Sequence, residues 1–311
     1  MKKIIYLRTG VLMAKGFSAK KLLTSTAVPL VAFMLFFGLL AIFSFPRSVE
    51  AEELPYYLQD RGKGVPTSMF GTYVEKNQLI MYSFYEYNYN SAEEYKPSEM
   101  DYSGPDDDED FDGTSEEHEA LLFLSYGVTD WLSVEFEMAY LTRKFLKKDN
   151  DDTSNMPDKI EESGLGDVES QIRWRYNRET EVMPEFFSFF EVAYPLQKHR
   201  DLIGTQDWEF ALGLGIIKGF RWGTLTVKGS MLYEAEDNSL QSGEYALEYL
   251  KRLSPHWRVF ASVEGEEDEV SVIGEVQYFL TQNILFKLNS GFGITDKAPN
   301  YAPEVGIMII Y

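Results

Sequence analysis

The stretch DVESQIRWRY, residues 167–176, alternates between polar and apolar side chains. Its charged and amide members are Asp167, Glu169, Gln171, Arg173 and Arg175, separated by Val168, Ser170, Ile172, Trp174 and Tyr176. A period of two residues is that of a β-strand, so one face of this strand is polar and the other mostly apolar. A soluble β-sandwich would bury the apolar face, whereas a membrane-spanning barrel would turn that face towards lipid.

Residues 1–51 have the layout of a signal peptide. Basic residues precede an uncharged apolar run at 27–45, and Val49 and Ala51 supply the branched and small residues of a cleavage site. We therefore predict cleavage after Ala51 and export of the rest of the chain. The run is longer than the usual core of a signal peptide, so an uncleaved membrane anchor is the alternative.

The composition of residues 52–311 favours one large exported β-domain. The chain has no Cys, so an exported fold must hold without disulfides. This part carries 22 Lys and Arg against 49 Asp and Glu, a formal charge near −27. Such a balance excludes nucleic acid as an expected partner, because phosphate binding needs a basic face. The acids indicate either attraction of cations or a solvated loop surface.

Twelve alternating segments follow, with predicted bounds 79–89, 117–126, 131–142, 166–176, 186–195, 207–218, 223–234, 243–253, 257–265, 269–280, 284–294 and 302–311. At ~3.3 Å per residue and ~40° of tilt, about ten residues span ~25 Å, the height of the apolar band of an outer-membrane barrel. Long connections, 90–116 and 143–165, alternate with short turns, as extracellular loops and periplasmic turns do. The sequence therefore predicts an all-β fold at 79–311: a transmembrane, antiparallel, up-and-down β-barrel of about 12 strands with a polar lumen.

Residues 52–78 lie between the predicted cleavage site and the first strand. They are rich in turn-forming residues and lack alternation. We predict that they form either a periplasmic extension or a plug in the lumen. As a plug, they would place Arg61 or Lys63 against an acidic wall.

Aromatic residues and the chain end agree with a barrel in the outer membrane of a Gram-negative cell. Eight aromatic residues fall near predicted periplasmic strand ends, where a girdle at the lipid boundary is expected: Tyr126, Trp131, Trp174, Tyr176, Trp222, Trp257, Tyr278 and Tyr311. The final residues, EVGIMIIY (304–311), resemble the signal that the barrel-assembly machinery recognises in outer-membrane proteins. The expected partners are thus this machinery and outer-membrane lipid, with the chain as a monomer. A soluble sandwich is the alternative fold.

With this topology, the polar face of each strand lines the lumen. The predicted lining residues are Glu135, Glu137, Asp167, Glu169, Gln171, Arg173, Arg175, Glu191, Glu209, Lys228, Glu248, Arg258, Glu275 and Lys287. In a water-filled pore, an excess of acids would favour cations. In a narrow or plugged barrel, the same residues would form internal ion pairs. Phe187 and Phe189, also predicted to face inward, would line an apolar route for a hydrophobic solute.

From residue 116 onward, the sequence resembles the family of outer-membrane proteins linked to the phenol meta-degradation pathway. The matching stretches are YGVTDWLSVEF (126–136), GLGDVESQIRWRY (164–176) and RDLIGTQDWEFALGLG (200–215). The resemblance implies an outer-membrane transporter of small, often aromatic or hydrophobic compounds, without indicating a particular solute.

The acidic stretch DEDFDGTSEEHE, residues 108–119, matches the spacing of an EF-hand loop. No helix is predicted before it, and the position that should be apolar is Ser115. We therefore predict no metal centre. The alternative is a surface loop site for calcium formed by Asp108, Asp110, Asp112 and Glu119.

The histidines and serines do not indicate an enzyme. His118, His199 and His256 lie in predicted loops or at strand ends, and no motif positions a serine as a nucleophile. We predict a passive channel for small solutes, with no catalytic residues and no cofactor. The alternative is a surface interaction barrel whose acidic loops, 90–116 and 143–165, bind a partner or cations.

Overall fold

The computed structural model describes residues 54–311 except 101, 149, 150, 152, 153, 198, 199, 236, 237, 267, 268 and 296. The predicted signal peptide at 1–51 and His199 therefore lie outside the described residues. These residues include two short 3-10 turns, at Tyr56–Leu58 and Pro97–Met100. Within the described ranges, no helix has the length and apolar character needed to cross a membrane.

Twelve antiparallel strands close into one barrel. A small hairpin precedes them, formed by β1 (Val65–Pro66) and β2 (Tyr73–Val74). The barrel strands are β3 (Leu79–Tyr95), β4 (Phe111–Gly127), β5 (Leu132–Lys147), β6 (Lys159–Asn177), β7 (Glu185–Ala193), β8 (Glu209–Phe220), β9 (Gly223–Glu234), β10 (Ser239–Arg252), β11 (Trp257–Glu266), β12 (Glu269–Phe279), β13 (Ile284–Gly293) and β14 (Ala302–Ile310). Each strand pairs with its neighbours in the sequence, and β14 pairs with β3 to close the ring. The predicted twelve-strand, up-and-down barrel is confirmed.

The connections fall at two distinct ends of the barrel. At the turn end, short connections such as 128–131, 221–222 and 280–283 join the strands. At the loop end lie the longer connections 96–110, 148–158 and 194–208. Residue 79 and the chain terminus both lie at the turn end, because Leu79 pairs with Tyr126 beside the 128–131 turn and exchanges backbone hydrogen bonds with Tyr311.

The first four barrel strands are longer than predicted. β3 continues to Tyr95 and β4 begins at Phe111, so the expected loop 90–116 shrinks to 96–110. In the same way, the expected loop 143–165 shrinks to 148–158. The register shifts between Asn90 and Glu93 and between Met138 and Tyr140. A β-bulge inserts an extra residue and breaks the period of two, which hides the continuing strand from pattern analysis.

The polar face of the stretch 167–176 points into the barrel. Arg173 is 3% exposed, whereas its neighbour Ile172 is 50% exposed. The same contrast recurs on β8, where Leu212 and Leu214 are exposed and Ala211 is buried. On these strands the outward side chains are therefore apolar and the charged ones face the interior, the reverse of a soluble barrel.

One part of the interior is apolar, contrary to the simple alternation rule. Near the turn end, β3, β4, β13 and β14 turn apolar side chains inward, among them Ile80, Phe123 and Met308. These residues form one cluster with Val65, Met69 and Val74 of the chain that precedes the barrel. The inner wall is apolar there because it packs against this preceding chain and not against water.

Candidate functional site

Residues 54–78, which we call the lumen segment, lie at the turn end of the barrel, and their hairpin enters the lumen. Their hairpin pairs Val65 with Val74, and a tight turn at 67–72 forms its tip. The turn is closed by a 2.8 Å hydrogen bond from the Thr67 amide to the Thr72 carbonyl. Gly71 adopts a φ of 61°, a left-handed conformation that favours glycine.

Arg61 anchors the lumen segment to the barrel through a buried ion-pair network. One guanidinium nitrogen, Nη2, donates to Glu179 and to Glu185, both at 3.0 Å. The three side chains are at most 1% exposed. The guanidinium also lies 4.9 Å from the centre of the Tyr73 ring. Arg175 on β6 donates to the carbonyl of Gly64 at 2.6 Å, which adds a second contact on this side.

Asp60 forms a second anchor on a different part of the wall, at β10 and β11. Its carboxylate lies 3.2 Å from the Lys251 ammonium and accepts a 2.8 Å hydrogen bond from the Arg252 amide. Arg258 donates to the Asp60 carbonyl at 3.4 Å. Two consecutive residues of the lumen segment thus contact β7 and the 178–184 turn on one side, and β10 and β11 on the other.

The tip of the lumen segment reaches the charged wall. Ser68 donates both its hydroxyl and its amide to Glu135, the amide at 3.2 Å. The Phe70 ring stacks edge-on against Phe260 at 5.5 Å and lies 4.9 Å from the Lys287 ammonium. Wall residues predicted to line an open pore therefore contact the chain's own N-terminal part.

All fourteen predicted lining residues lie on the inward face of their strands, and several form pairs. Arg173 lies 3.3 Å from Glu135 and also donates to Gln171, which in turn donates to Glu191. Lys228 lies 3.6 Å from Glu248, and Lys287 lies 3.7 Å from Glu275. Arg175 lies 3.5 Å from Glu185, and Arg258 donates to Gln277. These contacts match the internal ion-pair alternative for the half of the lumen nearer the turn end.

The other predicted residues form an acidic zone towards the loop end. Glu137 stands in register opposite Glu169, and Glu209 opposite Glu234. Asp167 accepts a hydrogen bond from the Thr205 hydroxyl. The lumen is therefore divided along its axis, with most bases near the lumen segment and a band of carboxylates above it.

The strand analysis missed several inward polar residues. Glu86, Asn88, Glu117 and Glu304 are all at most 6% exposed and face the lumen. On β3, the inward positions change from apolar residues near the turn end to polar ones, and the outward positions include three Tyr. No single face of this strand is polar throughout, which is why alternation alone did not identify them.

The stretches 164–176 and 200–215, two of the three that carry the family resemblance, meet at the loop end. The connection 194–208 folds inward, where Arg143 donates to the Leu202 carbonyl and the Leu202 amide donates to Glu162, both at 3.0 Å. The stretch 200–215 contacts the stretch 164–176 through the Thr205 to Asp167 hydrogen bond. Through these contacts, Leu202 and Thr205 of the 194–208 connection lie against the acidic zone.

The calcium-loop candidates are not brought together. Asp110 lies 3.4 Å from Lys96, and Asp112 lies 3.7 Å from Lys148. Asp108 lies in the 96–110 connection, whereas Glu119 faces the lumen from β4. In the part of the chain that the structure describes, no three His, Cys, Asp or Glu side chains are already grouped to hold a metal ion.

The two described histidines contact a tyrosine hydroxyl and a backbone carbonyl. His118 points outward, with its Nδ1 2.6 Å from the Tyr85 hydroxyl. His256 lies in a turn, with its Nδ1 3.0 Å from the Phe279 carbonyl. Neither contact places a histidine as the base of a serine nucleophile.

Comparison with known proteins gives a fold likeness. No known family model matches the chain, and no curated protein matches it. An outer membrane channel from Pseudomonas putida F1 is similar at 13% identity and a TM-score of 0.59, over 79% of this chain and 99% of the channel. The translocator domain of the autotransporter NalP from Neisseria meningitidis matches at 9% identity and a TM-score of 0.43, over 75% and 88%. The first likeness shows that this chain shares the fold of an outer-membrane channel.

Proposed function

We propose that this protein is a passive outer-membrane channel for small solutes, held closed by its own lumen segment. The observation that carries the proposal is the charged interior inside an apolar exterior. A barrel with this arrangement is stable in lipid and presents a polar path through it. The fold likeness to an outer-membrane channel supports the same location.

The lumen segment defines the resting state. Its two anchors, at Asp60 and Arg61, tie it to two separate parts of the wall at the turn end. Passage of a solute then requires the segment to move or to yield a route beside it. The barrel is expected to act as a monomer, inserted by the barrel-assembly machinery, and not as an enzyme.

An aromatic or hydrophobic solute is the finer proposal, in keeping with the resemblance to the phenol-pathway family. Phe187 and Phe189 face inward, with the Arg173 guanidinium 5.5 Å and 4.9 Å from their ring centres. Between this wall and Tyr73 lies a cavity of about 10 Å³. That volume admits about one water molecule, so an aromatic solute would contact these rings only after the lumen segment shifts.

Solute flux into liposomes tests the proposal. The Asp60→Ala variant removes one anchor, so vesicles containing it should take up small solutes faster than vesicles with the wild-type protein. Phenol and glycerol, compared at equal concentration, would report whether aromatic solutes are favoured. If folded wild-type and variant barrels both leave flux at the level of empty vesicles, the channel proposal is wrong.

A further inference from the structure

Four neighbouring strands present acidic and amide side chains in one row across the closing seam of the barrel. In register, Asn289 on β13 faces Glu304 on β14, Glu304 faces Glu86 on β3, and Glu86 faces Glu119 on β4. We call Glu304, Glu86 and Glu119 the carboxylate row. Like charges that stand directly opposite on adjacent strands are destabilising, so the ionised row is stabilised by a positive counter-charge and otherwise takes up protons.

Protein cations neutralise the row only at one edge. Glu86 and Glu119 each have another carboxylate directly opposite on a neighbouring strand, and neither forms an ion pair with a Lys or Arg among the described residues. Glu304 has Lys287 as a cationic neighbour, but Lys287 also lies 3.7 Å from Glu275. The charge of the row is therefore largely uncompensated by this chain's described residues.

Two buried amide oxygens in the same cluster point independently to a ligand. Asn88 and Asn289 are 3% and 4% exposed. Asn88 donates its amide nitrogen to Glu86 at 2.8 Å and to Glu117 at 3.3 Å, and Asn289 donates to Glu275 at 3.3 Å. The Oδ1 atom of each side chain is buried without a hydrogen-bond donor among the described residues. Buried acceptors without a donor are uncommon in folded proteins.

We propose that the carboxylate row binds a divalent cation, with calcium preferred, and that the amide oxygen of Asn88, beside Glu86 on β3, completes its ligand set. Carboxylates and amide carbonyls are the oxygen ligands that calcium takes, in flexible geometry. The absence of thiol and imidazole groups from this set disfavours softer metals.

The carboxylates can reach a shared ion without a change in the backbone. As they stand, they are not grouped around one point. Residues in register on adjacent strands have Cβ atoms about 5 Å apart, so rotamer changes alone can turn glutamate oxygens towards a common centre. A bound ion would link β14 to β3 and so stabilise the seam that closes the barrel. This role does not depend on whether the barrel conducts solutes.

Thermal unfolding of the full-length protein, in detergent free of lipopolysaccharide, tests the site. Calcium should raise the unfolding midpoint of the wild-type protein above its value in chelator, because an ion that binds only the folded state stabilises it. Glu86→Gln should change the unfolding midpoint in opposite directions in the two solutions, relative to the wild type. In chelator the variant should melt above the wild type, because a like-charge contact is gone, and in calcium it should gain little. Magnesium should act less strongly than calcium, because it demands stricter geometry.

Glu116→Gln is the matched control, because Glu116 lies on β4, as Glu119 does, but pairs outside the lumen with Lys144 at 3.2 Å. It should keep the wild-type response to calcium. Terbium luminescence provides a second readout. The affinity for terbium should fall about tenfold or more in Glu119→Gln, because loss of even a group that supports a metal ligand costs about that much. Equal midpoints in calcium and chelator, or equal losses in Glu86→Gln and Glu116→Gln, would overturn the proposal. Thermal unfolding and terbium luminescence do not depend on conductance, so a failure of the cation site and a failure of the channel proposal can be told apart.

Discussion

Arg61 makes the most completely buried ion pairs between the lumen segment and the barrel wall. Replacing it with Ala leaves Glu179 and Glu185 buried without their shared cation. Removing one partner of a buried pair is expected to destabilise by about 3–5 kcal/mol. Thermal unfolding of Arg61→Ala should show this loss.

Arg178→Ala is the control for that substitution. Arg178 lies 3.1 Å from Asp130, but both side chains are 59% exposed. An exposed pair contributes about 0–1 kcal/mol, so this variant should unfold close to the wild type. Equal losses in the two variants would show that the Arg61 network adds little.

Gly213 is expected to be intolerant of any larger side chain. A Cβ atom there would lie 2.0 Å from the Phe189 ring. Because the ring covers the glycine closely, Gly213→Ala should destabilise the barrel by about 1–3 kcal/mol, as overpacking does. Gly229→Ala is the matched control, since a Cβ atom at Gly229 would have nothing within 4 Å, and it should change unfolding by less than about 0.5 kcal/mol. Similar midpoints for both variants would contradict the packing account.

Asp151 gives the 148–158 loop a pH-dependent contact. Burial alone would raise the pKa of Asp151, but hydrogen bonds from Ser154 and Tyr95, with help from Lys147, lower it. Because the folded-state pKa is lowered, the stabilisation is complete above the unfolded-state pKa of about 3.9 and is lost as the pH falls through the folded-state value. Hydrogen exchange at the Ser154 amide, which donates to Asp151 at 3.2 Å, should lose protection over this range.

The matched variants for the loop contact are Asp151→Asn and Asp158→Asn. Asp151→Asn should remove the pH dependence of Ser154 protection. The Asp158 side chain is 98% exposed, so Asp158→Asn should leave the pH dependence of Ser154 protection unchanged. A Ser154 amide equally protected at every pH in the wild-type protein would refute the assignment.

The wall residues on regular strands could be identified from sequence. Glu135, Arg173 and Lys287 all lie where the alternation placed them, because a period of two leaves only two faces to choose between. Their partners could not be identified in this way. The contacts from Arg61 to Glu179 and from Ser68 to Glu135 join residues far apart in the chain, and no local pattern encodes them.

At the scale of the elements, the position of the lumen segment can be tested by the accessibility of introduced thiols to a maleimide. The chain has no Cys, so a single introduced thiol can be labelled without interference. Ser68 touches Glu135 inside the barrel, whereas Glu75 is exposed at the turn end. In the folded full-length protein, a maleimide should therefore label Ser68→Cys slower than Glu75→Cys by an order of magnitude or more, since reaction waits on local opening.

Adding Arg61→Ala to Ser68→Cys should speed its labelling, because the nearest ionic anchor is gone. The Glu75→Cys rate should not change when Arg61→Ala is added. Rapid labelling of Ser68→Cys in the otherwise wild-type chain would show that the segment does not stay in the lumen.

Strand positions followed from the sequence more closely than strand ends did. β9 matches its predicted bounds of 223–234, because its alternation is unbroken between two clear turns. β3 and β6 are longer than predicted by several residues. Bulges shift the alternation of their side chains, and acidic residues occur both in loops and at exposed strand ends, so the pattern does not show where the strand stops.

At the scale of the whole molecule, the barrel class was predictable, whereas the sequence left residues 52–78 open between a periplasmic extension and a plug in the lumen. Alternation, loop lengths and the terminal strand together indicate a barrel, but pairing of β14 with β3 is a contact between the two ends of the chain. The axial division of charge likewise depends on which strand neighbours which, and on the stagger between them.

The central claim is that the charged lumen is a solute path closed by the lumen segment. Single-channel conductance of the full-length protein in a planar bilayer, compared with its Arg61→Ala variant, tests this claim most directly. We predict small or rare steps for the wild type and larger, more frequent steps for the variant, with a reversal potential under a salt gradient that shows cation preference. Identical silence from both proteins, each shown to be folded and inserted, would contradict the account.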